Sequence, residues 1–168
     1  MQRSWTLAQL AERSGVSRAM ISKVERGEAS PTAALLGRLS GAFGLTLSAL
    51  LARAESSGNR LSRKAKQATW TDPGTHYVRR SVSPRTGGPL ELVLVALPKG
   101  ARVTYPASAY AFLHHQILVL SGTLRFKEGA LDHVLRAGDC LELGTPAECT
   151  YFNSGPGKCC YLVAVVRR

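Results

Sequence analysis

The sequence predicts two domains, an all-α domain followed by an all-β domain. Over the first fifty residues, apolar side chains recur at helical spacing, as in Leu35, Leu39 and Phe43. From Trp70 onward, short runs alternate apolar and polar residues between Gly/Pro turns. The segment between them is polar and rich in Arg and Lys, which is typical of a linker. We therefore assign residues 1–52 to the helical domain, 53–69 to a basic linker and 70–168 to the β domain.

Composition restricts the class of protein. The chain has 168 residues, 45% apolar content and a net charge of +11, which favours a polyanionic partner. Residues 1–69 carry eleven basic and four acidic side chains, a net of +7, so the smaller part is the more basic one. We find no signal peptide and no apolar run near the roughly 20 residues of a membrane span. All four cysteines follow residue 139, and we interpret them as reduced thiols of a cytoplasmic protein.

The first two helices carry local start and stop signals. Thr6 followed by Gln9 matches a capping box, and Gly15 suits the left-handed position at a helix C-terminus. Ser17 is a favourable N-cap for a second helix, whose apolar residues would face inward. Gly27 is predicted to end that helix, so two short amphipathic helices are joined by a tight turn.

Two further helices are predicted in the same part of the chain. Ser30 and Pro31 match an N-cap followed by proline at the first helical position. The apolar stripe that follows ends at Gly44, and residues 46–51 would form a last short helix.

The β domain is predicted from seven short runs between turns. Many strands at short spacing favour an antiparallel sandwich or barrel. The runs are 76–82, 90–97, 112–120, 123–127, 140–143, 150–153 and 161–166.

The second helix exposes side chains that suit DNA recognition. A helix-turn-helix places the N-terminal part of its second helix against base edges in the major groove. Arginine and lysine donate to guanine, serine contacts base or phosphate, and an alanine methyl can meet thymine. The alternative is an ordinary helical hairpin with a solvated basic face. The exposed candidates are Ser17, Arg18, Ala19, Ser22, Lys23 and Arg26.

Residues 10–32, LAERSGVSRAMISKVERGEASPT, resemble the helix-turn-helix of the phage-repressor-like, xenobiotic-response-element (XRE) family of bacterial regulators. The resemblance implies that Arg18, Ala19, Ser22 and Lys23 face bases and that Arg26 and Thr32 lie near phosphates. The family usually has a basic helix before this motif. Only MQRSW precedes it here, so we expect the first helix to be truncated.

The β domain resembles a cupin, a small double-sheet barrel. The resemblance rests on QILVLSG at 116–122, LRAGD at 135–139, Pro146 and Asn153. Many cupins bind a metal through two His and a Glu of one motif and a His of a second. The matching positions here hold Tyr110, Phe112, Gln116 and Cys149, so we expect no metal and no cofactor.

Strand alternation predicts what remains inside the barrel. If residues two apart share a face, then Tyr110, Phe112, His114 and Gln116 point inward together and His115 points outward. Cys149 and Tyr151 would face them from another strand. This set suits a small organic effector, although it would equally suit a filled core. His114 and Cys149 are two potential metal ligands, fewer than the three or four of a stable site.

The sequence therefore predicts a transcription regulator that is not an enzyme. It would bind double-stranded operator DNA, form a homodimer through the cupin domain, sense a small organic effector and have no membrane partner. A cupin metalloenzyme (isomerase or dioxygenase) with a DNA-binding head is one alternative. A DNA-binding partner of a toxin–antitoxin pair is another, which a side-chain-filled barrel would favour.

Overall fold

The computed structural model describes residues 5–47, 50, 60–84, 86, 88–111 and 113–167. Helix α1 spans Leu7–Ser14 and begins at the predicted capping box: the Gln9 N–H donates to the Thr6 hydroxyl, and the Thr6 N–H donates to the Gln9 amide oxygen. It ends at Gly15, whose φ of 65° is left-handed, as predicted. The expected truncation of a preceding helix concerns residues 1–4, which lie outside the described part.

Helix α2 spans Arg18–Glu25, and its N-cap is Ser17, which accepts a hydrogen bond from the Met20 N–H. Helix α3 spans Ala33–Phe43 and ends at Gly44, as predicted. The predicted start of α3 at Ser30-Pro31 is wrong. Thr32 is the N-cap, because its hydroxyl accepts from the Leu35 N–H. The predicted helix 46–51 lies partly outside the described residues, and Leu47 and Leu50 are helical.

The three helices pack around a small apolar core. Leu10 of α1, Ile21 of α2 and Leu39 of α3 are buried against one another together with Val16. At its edge, Trp5 stacks on Phe43 with ring centroids 5.2 Å apart. This core fixes α2 relative to α3.

In the described part of the chain, ten strands follow the helices. They form a six-stranded sheet in the order β1-β2-β3-β10-β5-β8 and a four-stranded sheet in the order β4-β9-β6-β7, and all pairs are antiparallel. The strands are β1 (Thr69–Thr71), β2 (Val78–Ser81), β3 (Leu90–Leu97), β4 (Arg102–Tyr105), β5 (Leu113–Ser121), β6 (Thr123–Glu128), β7 (Leu131–Arg136), β8 (Cys140–Glu142), β9 (Cys149–Phe152) and β10 (Cys159–Arg167).

Each of the seven predicted runs overlaps one of these strands, but β1, β4 and β7 were not predicted. Strand β1 has three residues and β4 has four. Strand β7 exposes both Leu131 and Val134, so its apolar residues do not mark one face. The two inner faces form the core of a double-sheet sandwich of cupin type.

The residues that carry the cupin resemblance hold the frame of this sandwich. Gly122 turns the chain from β5 to β6 with φ of 82°, and a Cβ there would lie 2.9 Å from the Cα of Cys159. Asn153 is 1% exposed, and its amide nitrogen donates to the carbonyl oxygens of Leu97 and Gly157, each at 2.8 Å. These positions therefore serve folding.

Helix α3 belongs to both parts of the molecule. Its Leu39 lies in the helical core, whereas Ala33 and Leu36 lie in the core of the sandwich. Glycines allow this close approach: a Cβ on Gly37 would lie 2.6 Å from Cδ1 of Tyr105, and one on Gly41 would lie 2.7 Å from the carbonyl oxygen of Ser108. The helix therefore packs directly on one end of the two sheets.

Polar contacts also join α3 to the sheets. The buried carboxylate of Asp72 accepts a hydrogen bond of 2.7 Å from the N–H of Ala33, the first residue of α3. After the helix, the Thr46 hydroxyl donates to the carboxylate of Glu91 at the start of β3. No helix among the described residues is long and apolar enough to span a membrane.

Candidate functional site

The structure presents two candidate sites, the solvent side of α2 and a cavity beneath α3. On α2, Ile21 is 2% exposed and faces the helical core. Ala19 and Lys23 are exposed on the opposite side, and Arg18 is exposed at the first position of the helix. These three predicted base-facing side chains are therefore accessible from solvent.

The other predicted DNA contacts already have partners. Ser17 and Thr32 are N-caps whose hydroxyls accept backbone hydrogen bonds, and both residues are exposed. The Arg26 guanidinium forms two hydrogen bonds to the carboxylate of Glu28, at 2.7 and 2.9 Å, and a third to the hydroxyl of Ser22 at 3.0 Å. Such an exposed ion pair is weak and can open when a stronger anion approaches. The Glu28 carboxylate also raises the pKa of Arg26.

The cavity lies between α3 and the inner faces of the sheets. Its volume is about 50 Å³, and Gly37, Ser40, Thr46 and Leu47 form the wall on the helical side. On the sheet side, polar side chains line the cavity together with several valines. The polar side chains are Tyr77, Arg79, Tyr105, Tyr110, His115, Tyr151 and Tyr161.

Two predicted pocket residues point away from this cavity. His114 and Gln116 are exposed on the outer face of the six-stranded sheet, where the Gln116 amide donates to the Glu142 carboxylate at 3.1 Å. His115 and Ile117 face inward instead. The prediction failed because β5 begins at Leu113, whereas Tyr110 ends a short 3-10 turn, so strand alternation does not extend back to it. Phe112 lies outside the described residues.

Three other predicted pocket residues are buried together. Tyr110 and Tyr151 line the cavity, and the Tyr110 hydroxyl donates to that of Tyr151 at 3.5 Å. Cys149 is 1% exposed and donates to the carbonyl oxygen of Ala147 at 3.4 Å. His114 lies on the outer face and Cys149 on the inner face, so these two potential metal ligands do not lie together. Within the described part of the chain, no three His, Cys, Asp or Glu side chains lie close enough to hold a metal.

Sequence reasoning missed the cationic group of the cavity. Arg79 on β2 shares its face with Tyr77, two residues earlier, and the Arg79 guanidinium is hydrogen-bonded to the Tyr77 hydroxyl. The hydroxyls of Tyr77 and Tyr105 form a short hydrogen bond. The available signal was alternation through 76–82, which places residues 77 and 79 together on one face.

The environment decides which of these groups carry charge. Burial raises the pKa of Tyr77, Tyr110 and Tyr161 well above the usual value, so their hydroxyls stay protonated at neutral pH. Burial, together with the nearby charge of Arg79, lowers the pKa of His115 to about 4, so its imidazole is neutral. Burial alone would lower the pKa of Arg79, but the surrounding tyrosines raise it, and the guanidinium stays charged. The cavity thus combines one cation with several neutral hydrogen-bond donors.

Comparison with known proteins agrees with both parts of the molecule. A family model described as Helix-turn-helix (HTH_3) matches residues 1–50. The HTH-type transcriptional regulator SutR of Escherichia coli strain K12 is 39% identical over 161 residues, which cover 93% of this chain and 74% of SutR.

Solved structures agree with the fold. An HTH_3 family transcriptional regulator from Vibrio cholerae superposes with a TM-score of 0.79 at 22% identity, covering 99% of this chain and 89% of that one. An RmlC-like cupin from Shewanella frigidimarina NCIMB 400 superposes with a TM-score of 0.54 at 15% identity, covering 68% of this chain and 96% of that one.

Proposed function

This chain belongs to the family of helix-turn-helix transcriptional regulators that includes SutR of Escherichia coli, and we propose that α2 is its recognition helix. The coarse function is that of a DNA-binding transcriptional regulator with a cupin domain, acting in the cytoplasm. One observation carries the finer proposal: α2 is held by its buried Ile21, while Arg18, Ala19 and Lys23 remain exposed to solvent. A surface of this kind can enter the major groove.

The roles of the individual side chains follow from their positions on α2. Arg18 is the first helical residue and therefore the side chain best placed to reach a base edge. Lys23 lies one turn and a half further along and suits a base or phosphate. Ser17 and Thr32 expose helix N-termini, which are favourable positions for phosphate. Arg26 would exchange Glu28 for a phosphate on binding.

Selection of bound DNA from a random pool would identify the operator. Binding of the Arg18→Ala variant is then measured on the operator and on random DNA. We expect a loss of about 1–3 kcal/mol on the operator and relaxed preference at one base pair. Arg136→Ala, at an exposed turn of the β domain, removes the same charge and should leave operator preference unchanged. An equal loss on both DNAs for Arg18→Ala would show that Arg18 contacts only phosphate.

We propose that the outer face of the six-stranded sheet is the dimer interface. A solvated antiparallel sheet ordinarily alternates apolar and polar side chains, but three adjacent strands here carry apolar side chains outward as well. Leu94, Leu162 and Leu118 are directly paired across β3, β10 and β5. Nearby Leu90 and Leu120 are 51% and 48% exposed. A second copy of the chain is the natural partner, because two-fold pairing places two recognition helices on successive DNA half-sites.

Sedimentation velocity tests this interface. We expect the native chain to sediment as a dimer and Leu162→Glu as a monomer with an unchanged circular dichroism spectrum. Leu131→Glu, at a 60% exposed position of the other sheet, is the matched control and should remain dimeric. A dimeric Leu162→Glu variant would exclude this face.

We further propose that the cavity beneath α3 holds a small effector. Its polar groups converge on a space that side chains do not fill, which supports a small ligand over a purely protein partner such as a toxin. Two observations support a sensor over an isomerase or dioxygenase. The described residues include no group of three His, Cys, Asp or Glu side chains that could hold a metal, and the relative SutR is named a transcriptional regulator. Stoichiometric iron, zinc or manganese in purified protein would revive the enzyme alternative.

A further inference from the structure

The cavity beneath α3 has a specific chemistry and a wall that belongs to the DNA-binding part. We propose that it binds a small organic monoanion through the Arg79 guanidinium, and that its occupancy stabilises the packing of α3 on the sheets and thereby the position of the recognition helix. This inference rests on the proposed effector role of the cavity and specifies its ligand class and its mode of regulation.

The ligand class follows from the side chains that line the cavity. Arg79 presents a planar set of N–H donors that matches a carboxylate. Tyr110 and Tyr161 are protonated and can donate further hydrogen bonds, and His115 is neutral. The Arg79 guanidinium is therefore a charged donor on the cavity wall, and it favours an anionic ligand over a cationic one.

The size of the cavity limits the ligand. A volume of about 50 Å³ corresponds to several water molecules, since one needs roughly 10–15 Å³ on the same measure. This is far below the roughly 300–1,000 Å³ of typical ligand pockets. A carboxylate with a short apolar tail fits, because its tail would lie against Val163 and Leu113. A larger ligand would have to displace α3.

The coupling follows from a chain of direct contacts. Arg79 is hydrogen-bonded to Tyr77, whose hydroxyl is hydrogen-bonded to that of Tyr105. The ring of Tyr105 packs against α3 at Gly37. Helix α3 also supplies part of the cavity wall, so the complete ligand site exists only while α3 is packed on the sheets. A ligand that requires this arrangement must stabilise it, by linkage.

Titration calorimetry of the full chain with sodium propionate tests the ligand class, with propionamide as the neutral isostere at constant ionic strength. We expect one propionate per chain and at least about tenfold weaker binding of propionamide, the size of one charge-assisted hydrogen bond. Arg79→Met should abolish binding. Arg80→Met, the next residue on the opposite face of β2, should retain it. Equal affinity for propionate and propionamide would overturn the proposal, and this comparison does not depend on the folding of Arg79→Met.

The two tryptophans allow the coupling to be measured without DNA. In Trp70→Phe, the remaining Trp5 reports on α3 through its stacking on Phe43. We expect its emission to change with the midpoint found by calorimetry. Gly41 does not line the cavity, but an alanine there would press on the Ser108 carbonyl, so Gly41→Ala should weaken propionate binding by about fivefold or more. Arg38→Ala, at an exposed position of α3, should leave the affinity unchanged.

Saturable propionate binding with neither a Trp5 response nor an effect of Gly41→Ala would refute the coupling. Operator binding measured on the same samples separates this result from failure of the proposed function. A chain that binds its operator but not propionate would refute this inference and leave the assignment of α2 intact.

Discussion

Replacing Asp72 with alanine should weaken the attachment of the DNA-binding part to the sheets. Asp72 is 3% exposed, and its carboxylate accepts hydrogen bonds of 2.7 Å from the Ala33 N–H, the Thr75 N–H and the Thr75 hydroxyl. Thr75 is partly exposed and can bond water instead. The Ala33 N–H is buried and would be left without a partner, so its loss dominates.

The magnitude follows from these contacts. Hydrogen bonds to a charged group contribute about 1.5–3 kcal/mol each and are not additive, so we expect Asp72→Ala to cost roughly 2–4 kcal/mol of the free energy of unfolding. For a chain of this size, that corresponds to a fall of roughly 4–16 °C in melting temperature.

Urea denaturation followed by fluorescence provides the assay. The variant is made in Trp5→Phe and Trp70→Phe backgrounds, so that each remaining tryptophan reports on one part. We expect coincident transitions in the native chain and an earlier transition at Trp5 in Asp72→Ala. Asp139→Ala is the control, because Asp139 accepts one hydrogen bond, from the Arg136 N–H at 2.7 Å, at an exposed turn. A loss for Asp72→Ala no larger than for this control would refute the reasoning.

Three other perturbations have defined outcomes. Glu28→Gln should release Arg26 and raise the affinity for any DNA. The slope of log affinity against log salt concentration should then become steeper by about one, and an unchanged slope would exclude a phosphate contact by Arg26. Burial lowers the pKa of His115 from 6.5 to about 4, so between these pH values its imidazole stays neutral in the folded chain but takes a proton in the unfolded chain. The free energy of unfolding should therefore fall by up to about 3 kcal/mol as pH drops from 6.5 to about 4, and urea denaturation of His115→Gln should show a weaker dependence on pH. Burial raises the pKa of the Cys149 thiol to about 12, so iodoacetamide should modify exposed Cys140 well before Cys149 under native conditions; equal rates, read by mass spectrometry, would contradict this.

The helical part was largely predictable because helix ends are encoded locally. The capping box at Thr6, the N-cap at Ser17 and the glycines at positions 15 and 44 depend on neighbours within four residues. Within the described residues, the prediction failed at the start of α3, where two start signals compete: Thr32 caps the helix, although Ser30-Pro31 matches the N-cap and proline pattern.

The β part was predictable in class but not in orientation. Alternation has a period of two, so an origin displaced by one residue exchanges the two faces of a strand. Extending strand alternation back to Tyr110 exchanges the inward and outward histidines. The pairing of β5 with β10 and β8 is what places His115 on the inner face.

The amino-acid order alone thus predicted an all-α domain followed by an all-β sandwich or barrel, because capping, periodicity and turn residues act over short distances. The XRE and cupin assignments came from the resemblance of its motifs to those families. The sequence did not reveal that α3 closes over Arg79. That arrangement joins Asp72 to Ala33 and Tyr105 to Gly37, across 39 residues in the first case. Contacts between segments so far apart depend on how the elements pack, and in this protein Tyr105 and Gly37 form part of the cavity wall.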